Sequence, residues 1–232
     1  VHFYSENPVL LVTELVDGEP LTYEGATRTG SHQLERTAEE LARFLSRFHE
    51  PSVLATVENT HEPIPAPVPQ ATTDEIRLGI AHWIRSDQLE TVLRWCEQID
   101  RVQATSGSPV LVHGDFHGHN QVWDLDQNAL RVVVDFEQTG VNEPEFDFRY
   151  VPAQWPGVDL LLMVAASYCE FSGRTLDIAR VMAWHTRTVL GDALWRSRAG
   201  VELPFGGTPE VWVDELRQRI SALESVAAWN LA

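Results

Sequence analysis

Residues 110–137 read VLVHGDFHGHNQVWDLDQNALRVVVDFE, and the chemistry of the chain is concentrated here. A short apolar strand, Val110–Val112, runs directly into a polar loop, HGDFHGHN at 113–120. A second apolar run, Arg131–Phe136, carries Asp135, and DLDQN at 124–128 is the turn of a hairpin-like connection. The pattern predicts two strands that each deliver a carboxylate to the same end of a small sheet, with the reactive groups on loops held by a rigid scaffold. Asp115 is a candidate proton acceptor. Asn120 and Asp135 are hard oxygen donors of the kind Mg²⁺ takes while keeping waters and phosphate oxygens as its other ligands. One carboxylate base plus oxygen ligands for Mg²⁺ is the small set of groups that phosphoryl transfer requires.

Outward from this stretch, apolar periodicity supplies helices. Leu34, Ala38, Leu41, Phe44, Leu45 and Phe48 recur at helical spacing, predicting an amphipathic helix over Ser31–Glu50 that Pro51 stops. Glu62–Pro69 is proline-rich and reads as an extended connector within one domain. A long helical stretch is expected from Thr73 or Asp74 to Val102, broken near Ser86–Asp87, and three more over 157–171, 175–198 and 209–228. Ahead of all these, the apolar run Pro8–Val16 reads as a buried strand ended by Asp17-Gly18-Glu19-Pro20. The fold class is therefore α+β and helix-dominated.

Composition removes several functions. The formal charge is −17, which disfavours nucleic acid as a partner, since a phosphate backbone demands a basic face, and attracts a cationic small molecule. All 17 basic residues are Arg, so mechanisms that need a Lys are excluded for these residues. No apolar stretch is long enough to span a membrane, and the amino terminus is not a secretion signal. The chain lacks an initiator Met, which implies a start further upstream. Cys96 and Cys169 lie in apolar helical patterns and are read as reduced core thiols, consistent with the cytoplasm. Trp83, Trp95, Trp184 and Trp195 are read as core residues on helices.

The loop His113-Gly114-Asp115-Phe116-His117-Gly118-His119-Asn120 resembles the HGDxHxxN catalytic loop of aminoglycoside phosphotransferases and choline-kinase-like enzymes. Asp135-Phe136-Glu137 resembles their metal-binding segment, and Asp147 the acid that braces the catalytic loop. Leu45 and His49 resemble the family's LH pair. Val12–Leu21 resembles the hinge strand and the run after it, and the strand's backbone at Glu14, Leu15 and Val16 would bind adenine. The resemblance implies the carboxy-terminal lobe of a protein-kinase-like fold: residues 1–21 as the interlobe hinge and 22–232 as the helical lobe. It implies an ATP- and Mg²⁺-dependent kinase acting on a small-molecule hydroxyl. Asp115 would be catalytic and Asn120 and Asp135 metal ligands. His113 and His117, with Asp147, would support the loop, while Glu137 either helps metal or water or caps the turn. The family's amino-terminal lobe, with its phosphate-binding Lys, has no counterpart here. The residues given are accordingly expected to be inactive alone and to self-associate through the uncovered Val9–Val16 strand. Gly118-His119 departs from the family's usual Pro-Gly.

Two rival readings remain at this level. Gly114–Gly118 also resembles the GDxHG of metallophosphoesterases, with His113 and His119 as further metal ligands, although the other motifs of that class are missing. A degenerate lobe that only binds a small molecule or partner is the second. Acids on the later helices (Asp159, Glu170, Asp177, Asp192, Glu202, Glu210, Asp214 and Glu215) can meet a cationic acceptor or form a solvated face.

Overall fold

A computed structural model describes residues 3–6, 9–12, 15–21, 31–59, 64–67 and 69–225. Strands β1 (Phe3–Glu6) and β2 (Val9–Val12) form an antiparallel hairpin. Strand β3 (Glu19–Pro20) joins β5 (Gln121–Asp124) and β6 (Ala129–Val133) in a three-stranded antiparallel sheet with β5 at its centre. Strand β4 (Val110–Val112) pairs instead with β7 (Gly140–Asn142). The helices are α1 (Ser31–Phe48), α2 (Pro51–Glu58), α3 (Thr73–Gly79), α4 (Ser86–Gln103), the short α5 (Val151–Gln154), α6 (Asp159–Ser172), α7 (Ile178–Ala199) and α8 (Pro209–Glu224).

The periodicity of α1 buries Ala38, Leu41, Ala42 and Leu45, which pack on Leu160, Leu161, Val164 and Tyr168 of α6. Phe116, Trp123 and Phe148 close this core against the loop-rich centre of the chain. A second core joins α3, α4, α7 and α8 through Ile76, Val92, Cys96, Leu190 and Leu216. The β5–β6 turn is tied to α1 by Asn128, whose side-chain amide donates to the Gln33 carbonyl at 2.7 Å and accepts from Thr37 at 3.1 Å. This buried asparagine also tolerates the left-handed backbone that the turn needs, with φ 47°.

Several expectations are corrected. The two acid-bearing strands do not share a sheet: β4 and β6 belong to separate ladders. The second apolar strand ends at Val133, because Asp135 adopts a left-handed conformation and Phe136–Gln138 turns into a 3₁₀ helix. Pro51 ends α1 but also starts α2, since a proline at the first helical position loses no hydrogen bond. The proline-rich connector is extended at 64–67, and the Pro65 carbonyl accepts from Val141 N–H, covering one edge of β7. Trp95 and Trp184 are core residues, whereas Trp83 and Trp195 are exposed. Cys96 is buried, with burial pushing its thiol up to about 11, but Cys169 is only half-buried. No described helix is long and apolar enough to cross a membrane.

The α1–α6 seam holds the fold together, so truncating it is costly. Leu161→Ala, at a fully buried position, is expected to lower unfolding free energy by about 2–5 kcal/mol. Leu15→Ser, at an exposed position, should stay within about 0.5 kcal/mol. Urea denaturation of both variants measures the contrast.

Candidate active site

The loop after β4 is held from beneath by one carboxylate. Asp147 lies in the 3₁₀ segment Pro144–Tyr150 and is completely buried. Its Oδ2 accepts from His113 N–H at 2.8 Å and its Oδ1 from Gly114 N–H at 2.9 Å. Nε2 of His49, at the end of α1, meets Oδ2 at 3.0 Å, while its Nδ1 lies 3.1 Å from the Tyr168 hydroxyl on α6. Burial pushes the Asp147 carboxyl up, yet the His49 contact and the two backbone donors outweigh it and hold the acid below its ordinary value. Gly114 is required at this turn. Its φ is +84°, and a Cβ there would stand 1.9 Å from the Gln138 carbonyl oxygen.

His113 links the two ladders. Its Nδ1 accepts from Asp115 N–H at 3.2 Å, so the proton sits on Nε2, which donates to the Val134 carbonyl at 3.0 Å. Burial lowers its pKa, against smaller opposing effects from Asp147, the Val134 carbonyl, Asp115 and Asp135. The imidazole is thus a neutral strut with both nitrogens occupied. One ring thus joins the backbone of Asp115 on one nitrogen to that of Val134, the residue before Asp135, on the other, despite the separate sheets. The ladders are also joined by Val134 N–H, which donates to the Asn120 carbonyl at 3.0 Å.

Asp115 is partly open, with 26% of its side chain exposed. Burial would raise its pKa, but donors from His117 and Tyr150 and the nearby charge of Arg149 lower it, so the carboxylate is ionised at neutral pH. Nε2 of His117 lies 3.4 Å from Asp115 Oδ2, and Nδ1 of the same ring accepts from His119 N–H at 3.1 Å. Asn120 donates from its amide to the Asp115 carbonyl at 2.9 Å and approaches Oδ2 at 3.4 Å. That orientation leaves its Oδ1 without a donor among the described residues. Asp135 is exposed at φ 66°, with no ion pair among the described residues, and Glu137 is exposed on the following 3₁₀ turn. The donor set suits Mg²⁺: an amide oxygen and an uncommitted carboxylate, both hard ligands beside an open face. Among the described residues, no group of three or more His, Cys, Asp or Glu side chains converges as a metal cage. With both nitrogens of His113 engaged, the two-metal hydrolase reading loses one of its four ligands.

Of the hinge residues, Glu14 lies outside the described residues, Leu15 is 89% exposed and Val16 is half-buried. The segment that follows is anchored to the loop, since Leu21 N–H donates to the Gly118 carbonyl at 3.1 Å. A Cβ at Gly118 would fall 2.0 Å from the Leu21 carbonyl oxygen, which accounts for glycine at this departure from the expected motif.

Two residues near the loop, Arg149 and Tyr150, escaped the sequence reading as site members. Arg149 is buried and donates to the carbonyls of Gly114 and Phe146 and, at 3.2 Å, to the Tyr150 hydroxyl. Tyr150 in turn interacts with the Asp115 carboxylate, and burial together with that acid pushes its phenol up to about 12. Asp192 on α7 is one of eight acids named from sequence, and the structure singles it out. Burial raises its pKa, Arg196 Nε meets both its oxygens at 3.0 Å, and the charge of Asp115 raises it further.

The sequence profile described as the phosphotransferase enzyme family matches residues 4–201. The chain belongs to this family. No curated protein matches it. Among solved structures, it is similar to the GDP complex of wild-type aminoglycoside 2'-phosphotransferase-IIIa, with a TM-score of 0.62 and 17% identity over 90% of this chain and 68% of that one. It is also similar to the GDP and kanamycin complex of APH(2")-IIia, with a TM-score of 0.60 and 16% identity, covering 92% and 69%. A third is macrolide 2'-phosphotransferase type I, with a TM-score of 0.56 and 16% identity, covering 93% and 68%. These likenesses establish the fold, a helix-dominated, kinase-like one shared with those phosphotransferases. The helix-dominated α+β reading of the sequence agrees with it.

The buried Asp147 network generates a pH-dependent expectation. Because the folded pKa lies below the unfolded value, its stabilisation is complete above about pH 4 and is lost as pH falls through the folded value. Asp147→Asn should cost about 3–5 kcal/mol at pH 7 by breaking a buried charged network. The gap from the parent protein should narrow progressively below about pH 4. Equilibrium unfolding of both proteins between neutral and acid pH measures it.

Proposed function

We propose that the chain forms the catalytic lobe of a small-molecule O-kinase, which moves the γ-phosphoryl group of ATP to an acceptor hydroxyl. The observation that carries this reading is an ionised, half-open Asp115 on a loop whose backbone is fixed by the buried Asp147. Asp115 orients the hydroxyl and takes its proton as the oxygen attacks phosphorus. The bond from phosphorus to the β-phosphate oxygen breaks and nucleoside diphosphate leaves. Asn120 Oδ1 and the Asp135 carboxylate would hold Mg²⁺, which when bound neutralises the charge on the phosphate oxygens. His113, His117 and Asp147 keep the loop in register. The backbone of residues 14–16 would receive the adenine, and exposed Leu15 and Val134 offer apolar surface to a planar base. Residues 1–21 would then be the interlobe hinge and 22–232 the helical lobe, in a cytoplasmic enzyme.

A cationic acceptor fits the electrostatics. The chain carries a formal charge of −17, and the Asp115 charge is felt at Asp192 on α7. The kanamycin complex of a structural neighbour supports an aminoglycoside-like molecule in that role. Phosphate-clamping Lys residues are lacking in residues 1–232, so on this reading those residues alone turn over slowly.

The roles separate by mutation in an active form of the enzyme. Asp115→Asn should lower kcat by about 10²–10⁴-fold with ATP affinity nearly unchanged. Asp135→Asn should weaken Mg²⁺-ATP binding as well as turnover. Calorimetric titration of Mg²⁺-ATP, with GTP in parallel, combined with turnover against a panel of hydroxyl acceptors, tests both. Nucleotide binding without turnover on any acceptor would favour the binding-lobe alternative instead.

A further inference from the structure

The chain has twice as many acidic as basic residues, 34 against 17, yet one groove reverses that balance. It has a volume of about 350 Å³, lies between the carboxy-terminal ends of α1 and α6, and is lined by Arg43, Arg47 and Arg174 with Glu50, Phe171 and Ser172. None of the three arginines makes an ion pair or a side-chain hydrogen bond among the described residues. Arg43 and Arg47 are one helical turn apart and share a face of α1. Arg174 approaches from the far side, just beyond the left-handed Gly173 that ends α6. The Arg43 guanidinium lies 4.7 Å from the Phe171 ring centroid, an aromatic contact that orients it without neutralising it. The single acid, Glu50, is engaged by Ser52 at 3.4 Å and by none of the arginines. The ends of α1 and α6 add only about half a negative charge each. The groove therefore stays positive in a strongly negative molecule, and screening over about 8 Å at physiological salt isolates it from the distant acids.

We propose that this groove binds a small anion carrying a diphosphate group. Guanidinium forks match phosphate oxygens in bidentate geometry. One phosphate group carries about −1.5 to −2 at pH 7, so three guanidiniums exceed what one phosphate neutralises and suit two linked ones. The site is separate from the Asp115 loop and does not rest on the kinase reading. It lies next to the brace of that loop: Ser172 Oγ accepts from Arg174 N–H at 3.2 Å and donates to the Tyr168 carbonyl at 2.6 Å, and the Tyr168 hydroxyl meets His49.

Titration calorimetry with inorganic diphosphate in Mg²⁺-free, EDTA-containing buffer tests the assignment on the whole chain. One saturable site per chain is expected. Arg47→Gln with Arg174→Gln should weaken it at least tenfold, Lys at both positions should weaken it less, and Asp135→Asn should leave it unchanged. Should the double variant fold poorly, Arg43→Gln, on the exposed face of α1, repeats the test. Absence of saturable binding, undiminished affinity in the Gln variants, or loss of binding in Asp135→Asn overturns the proposal. So does a concentration-dependent mass by light scattering that the double variant abolishes, because the arginines would then serve a second copy of the chain.

Discussion

The Asp147 carboxylate sits where water does not reach, and a bare charge there would be untenable. It persists because three donors converge on it from two parts of the chain: two consecutive backbone N–H groups of the loop and the imidazole of His49. That convergence depends on α1 ending at the right height, which depends on the leucine seam between α1 and α6. Tyr168 of α6 completes the arrangement by meeting the other nitrogen of His49. Core packing is thereby converted into the position of Asp115, one residue beyond the anchored Gly114. Other bonds fix the rest of the loop, among them Arg149 to the Gly114 carbonyl and Leu21 N–H to the Gly118 carbonyl, but the turn at His113 and Gly114 rests on Asp147.

A second constraint follows from the separate ladders. Strand β4 supplies the loop and β6 supplies Asp135, yet no backbone ladder joins the two strands. The His113 imidazole and the Val134–Asn120 bond take its place. Asp135 is held left-handed, which for a non-glycine residue costs on the order of 1–2 kcal/mol. The next residue shows what opposes relaxation: the Phe136 ring lies 4.6 Å from His113 and 5.8 Å from Phe48, both fixed by the core beneath. The kink ends the strand early and turns the carboxylate out of the sheet to the open side. Strain of this kind survives only where neighbours over-determine the backbone.

What was legible in the sequence follows the same physics. Helices α1, α4, α6, α7 and α8 announce themselves through long apolar periods, and β4 through an apolar run abutting a polar loop. The acids of the site were visible because carboxylates beside strand ends are chemically uncommon. Strand pairing was not legible: Gly140–Asn142 is too short and too polar to read as a strand, so β4 was given the wrong partner. Arg149 and Tyr150 were missed for a similar reason. In FDFRYV the arginine looks like one surface charge among aromatics, and only the fold reveals that its donors are spent on carbonyls and the Tyr150 hydroxyl. Trp83 and Trp195 misled in the opposite direction, since helical spacing cannot say which helices have a covered face.

The surroundings of Asp115 and Asp192 shift the two acids in opposite directions. Burial is the largest influence on Asp192 and raises it, and the Asp115 charge adds a smaller push in the same direction. Asp115 is relieved by donors from His117 and Tyr150 and by Arg149, whose guanidinium is spread over the Phe146 and Tyr150 rings at 3.8 and 4.3 Å from their centroids. Among the described residues no Arg side chain forms an ion pair with the Asp115 oxygens, and 26% of the side chain is open. Asp192 is more deeply desolvated, and its contact with Arg196 does not fully offset that burial. One carboxyl is lowered and the other raised by surroundings alone, the pattern by which a fold assigns different duties to chemically identical groups. A cation entering beside Asp192 would stabilise its charged form and relieve the repulsion that Asp115 contributes.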